Sequence, residues 1–563
     1  MEDIKEVQIA WDLESLRKHF APSQNWDDAG FCERCDPALI GGTTLKISSD
    51  DTLTSVLARY SSSNCPICRV FWNAFARFTR SVSQIKHFWF LFDSESEDEE
   101  PSLALLKWNG TTNSGKGFVV TRSMIPRDLE SQLYWTSWRE QLEYSMLEHG
   151  NFNDLTPRSQ YMPTRLLDLK SAHGPVLVDS AAIDVVGPYV ALSYCWGGAN
   201  FIRTTTSNID VHQRGIPTTS LPPLFRDIIQ ITLKLGLHYL WIDSLCIIQD
   251  SKLDWEVESA QMGQIFAQSF VVLAAGSSQS PLDELLLQRP EPLIVDTMEI
   301  PDFGTMPILA REPLEHPVWS SEEYLKDESL IHLQRRGWCY QEYWLAPRVL
   351  TILDWETILK CSNEIRCECG DPWNGNQEDQ TILQSWRELT ANEITSEEGL
   401  AGFWEKLVQQ YTSLRLTQHT DRLPAFSGVA ATFQRSSCGR YLAGLWEGFL
   451  PRALFWSGVE LGDDKPFPPR PKNCRAPSWS WASVNGGVMF DNVQLVYDDG
   501  LVLECQAISL GKNPFGRVEE GFITLKVPVV SVVKFKELCR AKETEAVADD
   551  IEVLSAEDHV VPQ

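Results

Sequence analysis

Residues 189–198 have the sequence YVALSYCWGG, and this stretch decides the fold expected for the chain. A short apolar run that ends at two glycines is typical of a strand buried on both faces of a sheet and followed by a tight turn. We therefore expect a strand over residues 189–194 and a glycine turn at Gly197 and Gly198.

Two more apolar runs follow at spacings that leave room for a helix between each pair. Residues 239–242 have the sequence YLWI, and residues 270–275 have the sequence FVVLAA. Short, continuously apolar runs of this kind indicate strands that are covered on both sides.

The intervening segments have the pattern of amphipathic helices. In the first, apolar residues recur at steps of four, three and four, on one helical face: Leu224, Ile228, Ile231 and Leu235. We expect Ser220 to cap this helix and Gly236 to end it. In the second, Ser251 and Asp254 have the spacing of a capping box.

Apolar strands that alternate with amphipathic helices predict an α/β fold with a parallel sheet covered on both faces. Ligands in such folds bind beyond the carboxyl ends of the strands. We divide the chain into an N-terminal region with paired cysteines (1–155), the α/β domain (160–360) and a C-terminal α+β region (375–563).

Composition and charge restrict the possible partners. The chain has 563 residues, of which 77 are acidic and 49 basic, giving a net charge of −28. A surface this negative repels phosphate backbones, so nucleic-acid binding is not expected. No apolar stretch approaches the ~20 residues of a membrane span. The acidic start lacks the features of a signal peptide, so we expect a cytoplasmic protein.

Two Cys-x-x-Cys pairs indicate a metal site near the N-terminus. Cys32, Cys35, Cys65 and Cys68 could supply four thiolates to a tetrahedral zinc ion. Four cysteines leave no open coordination position, so this zinc would be structural. The alternative is that the four thiols are small buried apolar residues.

Several segments together resemble the heterokaryon incompatibility (HET) family of fungi. They occur in the family's order: residues 162–168 (MPTRLLD), 189–197 (YVALSYCWG), 240–250 (LWIDSLCIIQD) and 336–342 (RGWCYQE). The resemblance implies a role in self/non-self recognition and programmed cell death. It also implies a TIR-like (flavodoxin-like) core, self-association, and other incompatibility proteins as partners.

The segment Trp338-Cys339-x-x-Glu342 is similar to the one that carries the catalytic glutamate of TIR enzymes that cleave NAD. The resemblance implies that Glu342 is catalytic and that NAD is the substrate of an NAD glycohydrolase-like activity. A carboxylate near the ribose can stabilise the oxocarbenium-like state of that cleavage. The alternative is that Arg336, Gln341 and Glu342 form a structural polar network at a helix start.

Further candidate ligand contacts follow the first two strands. Ser193, Trp196 and Gly197 lie at the end of the first strand, and Trp196 could stack on a base or on nicotinamide. Asp243 and Gln249 follow the second strand, where a carboxylate could bind a ligand hydroxyl or a cation. The alternative for Asp243 is that it caps the following turn.

Three functions remain open at this point. The first is a recognition and cell-death protein whose TIR-like domain signals, with NAD cleavage left as an open question. The second is a non-catalytic oligomerising interaction module. The third is an accessory protein of a fungal secondary-metabolite pathway, for which the sequence offers no substrate.

Overall fold

The structure is a computed structural model. It describes residues 44–46, 89–91, 106–108, 118–121, 128–148, 161–171, 174–181, 187–289, 293–300, 304–311, 331–368, 377–391, 393–394, 396–434, 438–459, 476–491 and 502–526. The zinc candidates Cys32, Cys35, Cys65 and Cys68 lie outside these residues.

The chain divides into two compact units. The first unit comprises Met1–Trp255, Gln264–Arg335 and Glu342–Arg387. The second unit comprises Glu256–Gly263, Arg336–Gln341 and Glu388–Gln563.

The strands of the described residues, in chain order, are β1 (Thr44–Lys46), β2 (Trp89–Leu91), β3 (Leu106–Trp108), β4 (Phe118–Thr121), β5 (Arg165–Asp168), β6 (Val176–Asp179), β7 (Tyr189–Ser193), β8 (Tyr239–Trp241), β9 (Val271–Ala275), β10 (Leu293–Ile300), β11 (Gly304–Arg311), β12 (Val349–Ile352), β13 (Thr357–Lys360), β14 (Ile365–Cys367), β15 (Tyr441–Leu442), β16 (Leu445–Trp446), β17 (Trp456–Gly458), β18 (Val488–Phe490), β19 (Val502–Ser509) and β20 (Val518–Leu525). The α-helices are α1 (Gln132–Glu148), α2 (Ile209–His212), α3 (Pro223–Lys234), α4 (Asp243–Cys246), α5 (Lys252–Ala267), α6 (Gly337–Leu345), α7 (Gln377–Thr390), α8 (Glu397–Thr412) and α9 (Ser427–Phe433).

An eight-stranded sheet forms the centre of the first unit. Its strand order is β14-β13-β12-β9-β7-β8-β5-β6. The four central strands, β12, β9, β7 and β8, are parallel to one another. Thus the α/β class is confirmed, with the parallel sheet in the middle.

The sheet is mixed, whereas the sequence predicted a parallel one. On one side β13 and β14 continue from β12 as antiparallel hairpins, and on the other side β5 is antiparallel to both β6 and β8. For the hairpins, the physical reason is the length of the connections. Residues 353–356 alone join β12 to β13, and a parallel neighbour needs a crossover of about a dozen residues or more.

The three strands predicted from apolar runs are confirmed as β7, β8 and β9. Every residue of these strands is buried. Because both faces are covered, the main-chain groups pair within the sheet and the side chains supply apolar contacts. Ser193 is the only serine or threonine in these three strands, and it lies at the carboxyl end of β7.

The two predicted helices are present, with one difference in capping. Helix α3 begins with Pro223 after Pro222, and Gly236 follows it with a φ of 76°. Ser220 does not cap α3, because its hydroxyl donates to the carbonyl of Pro217 in a preceding 3₁₀ turn. In α5, by contrast, Ser251 accepts from the amide of Asp254, as predicted.

The second unit has an aromatic core. The rings of Tyr411 and Phe426 stack with centroids 4.6 Å apart. The indoles of Trp404 and Trp481 both donate to the carbonyl oxygen of Gly444, at 3.1 and 2.7 Å. Gly444 has a φ of 101°, and a Cβ there would lie 2.7 Å from Trp481, so a glycine is required at this point.

Within the part of the chain that the structure describes, no helix is both long enough and apolar enough to cross a bilayer.

Packing of the central sheet leads to a stability prediction. Leu240 is fully buried in β8, and Leu240→Ala is expected to lower the free energy of unfolding by ~2–5 kcal/mol through lost burial and the cavity left behind. Urea denaturation followed by circular dichroism measures this. The matched control is Leu233→Ala on α3, where the side chain is 41% exposed and the expected change is within ~0.5 kcal/mol. Equal effects of the two substitutions would contradict the burial of β8.

Candidate functional site

The carboxyl ends of the four parallel strands lie at one edge of the sheet, here called the carboxyl edge. Ser193 ends β7, and Asp243 comes two residues after the last residue of the neighbouring β8. The loops after β7, β8 and β9 leave the sheet at this edge. Parallel topology thus brings together candidate residues that are far apart in the chain.

Glu342 lies at this edge through a direct contact with Ser193. The hydroxyl of Ser193 donates to Oε2 of Glu342 across 149 positions of sequence. Both residues are buried, with 4% of Ser193 and 7% of Glu342 exposed. A hydrogen bond in such surroundings is stronger than one in water.

Helix α6 positions Glu342, and its residues divide between the two units. Residues 337–341 of the helix belong to the second unit and residues 342–345 to the first. Within the second unit, Gln341 accepts a hydrogen bond from the amide of Gly428 at 3.2 Å. In the first unit, Glu342 binds Ser193. The alternative of a structural polar network of Arg336, Gln341 and Glu342 stays a prediction.

Trp196 and Asp243 form a second pair at the carboxyl edge. The indole Nε1 of Trp196 donates to Oδ2 of Asp243 at 2.8 Å. The other oxygen, Oδ1, accepts from the amide of Ser244 at 2.6 Å. Asp243 therefore combines an interaction at the start of α4 with the orientation of Trp196, whose ring is half-buried.

The predicted glycine turn after β7 is present and requires glycine. Gly197 and Gly198 have φ values of 61° and 69°, and the amide of Ala199 donates to the carbonyl of Trp196 at 3.2 Å. A Cβ on Gly197 would lie 2.4 Å from the carbonyl oxygen of Gln279. The loop after β7 can therefore pass this close to the loop after β9 because Gly197 has no side chain.

Gln249 joins the segment that follows α4 to the loop after β7. Its amide nitrogen donates to the carbonyls of Asp243 and Ile247, at 3.1 and 3.0 Å. Its main-chain N–H donates to the carbonyl of Thr204 in the loop after β7, at 2.8 Å. These bonds give Gln249 a positioning role for the residues on either side of it.

Asp250 also joins the loop after β7 to the segment that follows α4. It accepts hydrogen bonds from the amide and the hydroxyl of Thr206, at 2.8 and 2.7 Å. Both hydrogen bonds, and the one from the hydroxyl most of all, hold the pKa of Asp250 below its usual value.

A buried lysine that the sequence did not single out supports the helix of Glu342. Lys360, at the end of β13, donates from Nζ to the carbonyls of Tyr343 and Ala346, each at 3.0 Å. These carbonyls belong to the last turn of α6 and the residue after it. Lys360 therefore closes the carboxyl end of the helix that bears Glu342.

Burial changes the charge state of this lysine. Desolvation lowers the pKa of Lys360 to about 7. An unprotonated amine still carries two N–H groups, enough to donate to both carbonyls. In sequence, Lys360 resembled an ordinary strand end, so no pattern indicated it.

Arg165 belongs to the segment 162–168 that resembles the HET family, and the structure gives this side chain a role. It pairs with Asp254 at 2.5 Å and donates to the carbonyl of Cys246 at 2.7 Å. It thereby ties the start of β5 to the last residue of α4 and to the first turn of α5.

Among the described residues, no group of three or more His, Cys, Asp or Glu side chains is arranged to hold a metal ion. Since the paired cysteines lie outside those residues, the structural zinc stays a prediction.

Comparison with known families agrees with the sequence motifs. Residues 189–342 match the family model described as heterokaryon incompatibility protein (HET). The match begins at the first residue of β7 and ends at Glu342, so both members of the buried Ser193–Glu342 pair lie within it. The recognition of a HET domain is confirmed over this range. No curated protein and no solved structure matches the chain significantly.

The lowered pKa of Lys360 leads to a prediction about pH. Between pH 7 and 10.5 the unfolded chain carries a proton on this amine that the folded chain lacks, so the free energy of unfolding should rise with pH in this window. The contribution of one such group is at most ~1.4 kcal/mol per pH unit.

The measurement is urea denaturation of the wild type and of Lys360→Met at pH 7 and pH 9.5. All other groups titrate in both proteins and cancel in the comparison. We expect stability relative to Lys360→Met to increase for the wild type as pH rises. A constant difference between the two proteins would show that Lys360 stays protonated in the fold.

Proposed function

We propose that this chain acts in heterokaryon incompatibility, as a self/non-self recognition protein that triggers programmed cell death by cleaving NAD at the carboxyl edge. The HET match over residues 189–342 supports the family-level role. The observation that carries the chemistry is the buried pairing of Ser193 with Glu342 at the ends of parallel strands.

The proposed reaction breaks the bond between the nicotinamide nitrogen and C1′ of the ribose. The bonding electron pair remains on the nitrogen and neutralises the pyridinium, while C1′ becomes oxocarbenium-like. Water adds to C1′ and releases a proton, giving nicotinamide and ADP-ribose. The carboxylate of Glu342 would accept a hydrogen bond from a ribose hydroxyl and stabilise the positive charge that develops on the ring.

The surroundings of Glu342 favour such a role. The carboxylate lies where little water reaches it, so its interaction with a developing positive charge is weakly screened. Ser193 fixes the position of Oε2. A preorganised acceptor needs little rearrangement when the charge appears.

Trp196 would supply the contact with a flat ring. Its indole is held by Asp243, and Trp196 as a whole is half-buried. A fixed indole can stack on nicotinamide or on the adenine base. In this proposal Asp243 orients Trp196, and Gly197 gives the loop its path.

The cellular role adds two expectations to the chemistry. Signalling of this type is expected to involve self-association of the chain and contact with other incompatibility proteins. The partners would regulate the reaction, while the residues at the carboxyl edge would perform it.

The direct test is NAD consumption by the purified protein, with nicotinamide and ADP-ribose measured as products. We expect Glu342→Gln to slow consumption by about 100-fold or more, because the amide cannot supply the negative charge. The matched control is Glu284→Gln, a change of the same type at an exposed position of the same unit, which should leave the rate unchanged.

Two results would contradict the proposed chemistry. One is a wild-type protein that consumes no NAD; the other is equal consumption by the wild type and Glu342→Gln. Thermal melting of each variant establishes that a lost rate comes from the carboxylate and not from unfolding.

A further inference from the structure

Arg203 lies against the aromatic side chains of the loop after β7. Its guanidinium carbon is 5.3 Å from the ring centre of Trp196 and 5.1 Å from that of Phe201. The two rings meet edge to face, with centroids 5.5 Å apart. This pair of aromatic faces holds the cation next to the indole that Asp243 fixes.

Arg203 forms no ion pair with an acidic side chain in the part of the chain that the structure describes. Among the described residues, its guanidinium contacts aromatic faces and no carboxylate. The nearby carboxylate of Asp243 is already engaged by Trp196 and by the amide of Ser244. In a chain with a net charge of −28, a half-buried arginine that forms no ion pair with a described acidic residue is a position where an anion would be stabilised.

The glycine turn of the same loop provides a second set of donors. Gly197 and Gly198 are exposed, and a Cβ placed on Gly198 would meet nothing within 4 Å. Neither of their amides donates to another described residue. Backbone N–H groups in a glycine turn at the end of a parallel strand commonly bind phosphate, because the ligand can approach the bare main chain.

We propose that Arg203 and the amides of Gly197 and Gly198 form an anion-binding subsite that takes the diphosphate of a nucleotide. The choice of a nucleotide rests on the proposed function, whereas the donor set itself rests on the contacts of the loop. In this arrangement Trp196 stacks on the ring of the ligand, and Arg203 neutralises the phosphates beside it. Arg203 thereby selects phosphorylated ligands over bare nucleosides.

The test is equilibrium binding to the purified full chain, measured by calorimetry with ADP-ribose and with adenosine. We expect Arg203→Gln to weaken ADP-ribose binding by about 10-fold or more, as for the loss of a charge-assisted contact. Adenosine, which lacks phosphate, should bind the wild type and Arg203→Gln equally. Arg203→Lys should keep part of the affinity, because it retains the charge but not the planar fork.

Arg214→Gln is the matched control, since it removes one positive charge at an exposed position of the same unit. It should bind ADP-ribose like the wild type. Inorganic pyrophosphate serves as a competitor. If it displaces ADP-ribose from the wild type but not from Arg203→Gln, Arg203 contacts the phosphates of the ligand. Higher salt should weaken wild-type binding more than binding to Arg203→Gln.

Three results would overturn the subsite: no binding of ADP-ribose to the wild type, equal binding by Arg203→Gln, or an equal loss in Arg214→Gln. Binding is measured without turnover, so the outcome is independent of NAD consumption. Arg203-dependent binding in a protein that cleaves no NAD would uphold the subsite and refute the proposed chemistry.

Discussion

A strand covered on both faces accepts few polar side chains along its length, and this constraint organises the central sheet of the first unit. Strands β7, β8 and β9 are buried at every position. Polar groups can therefore appear where the strands end and the loops begin. Ser193 lies at one such end and Asp243 follows another. The burial of the strands therefore also places the polar side chains together at one edge of the sheet.

Local patterns in the sequence predicted the parts of the fold that depend on neighbouring residues. The apolar run at 189–194, the glycine turn that follows it and the capping serine of α5 are all present. Each depends on burial, on a positive φ or on a hydrogen bond within a few residues. Ser220 does not cap α3, because the helix begins at Pro223 with Pro222 in the capping position.

Other features depend on contacts between distant segments of the chain, and no local sequence pattern predicts them. The partner of Glu342 is 149 residues away, and a strand-end lysine gives no sign that it closes a helix. The antiparallel hairpins beside the parallel core follow from connection lengths, which become visible when the strand bounds are known. Motif resemblance located Glu342 but not the bonds that fix it.

The hydroxyl of Ser193 uses one of the acceptor positions of Glu342, at Oε2. A carboxylate has further lone pairs on both of its oxygens, so under the proposed function a ligand hydroxyl would bind beside Ser193 without displacing it. One such hydrogen bond gains little free energy, so most of the affinity would come from contacts elsewhere on the ligand. The response proposed for this protein would then depend on how completely a ligand fills the rest of the carboxyl edge.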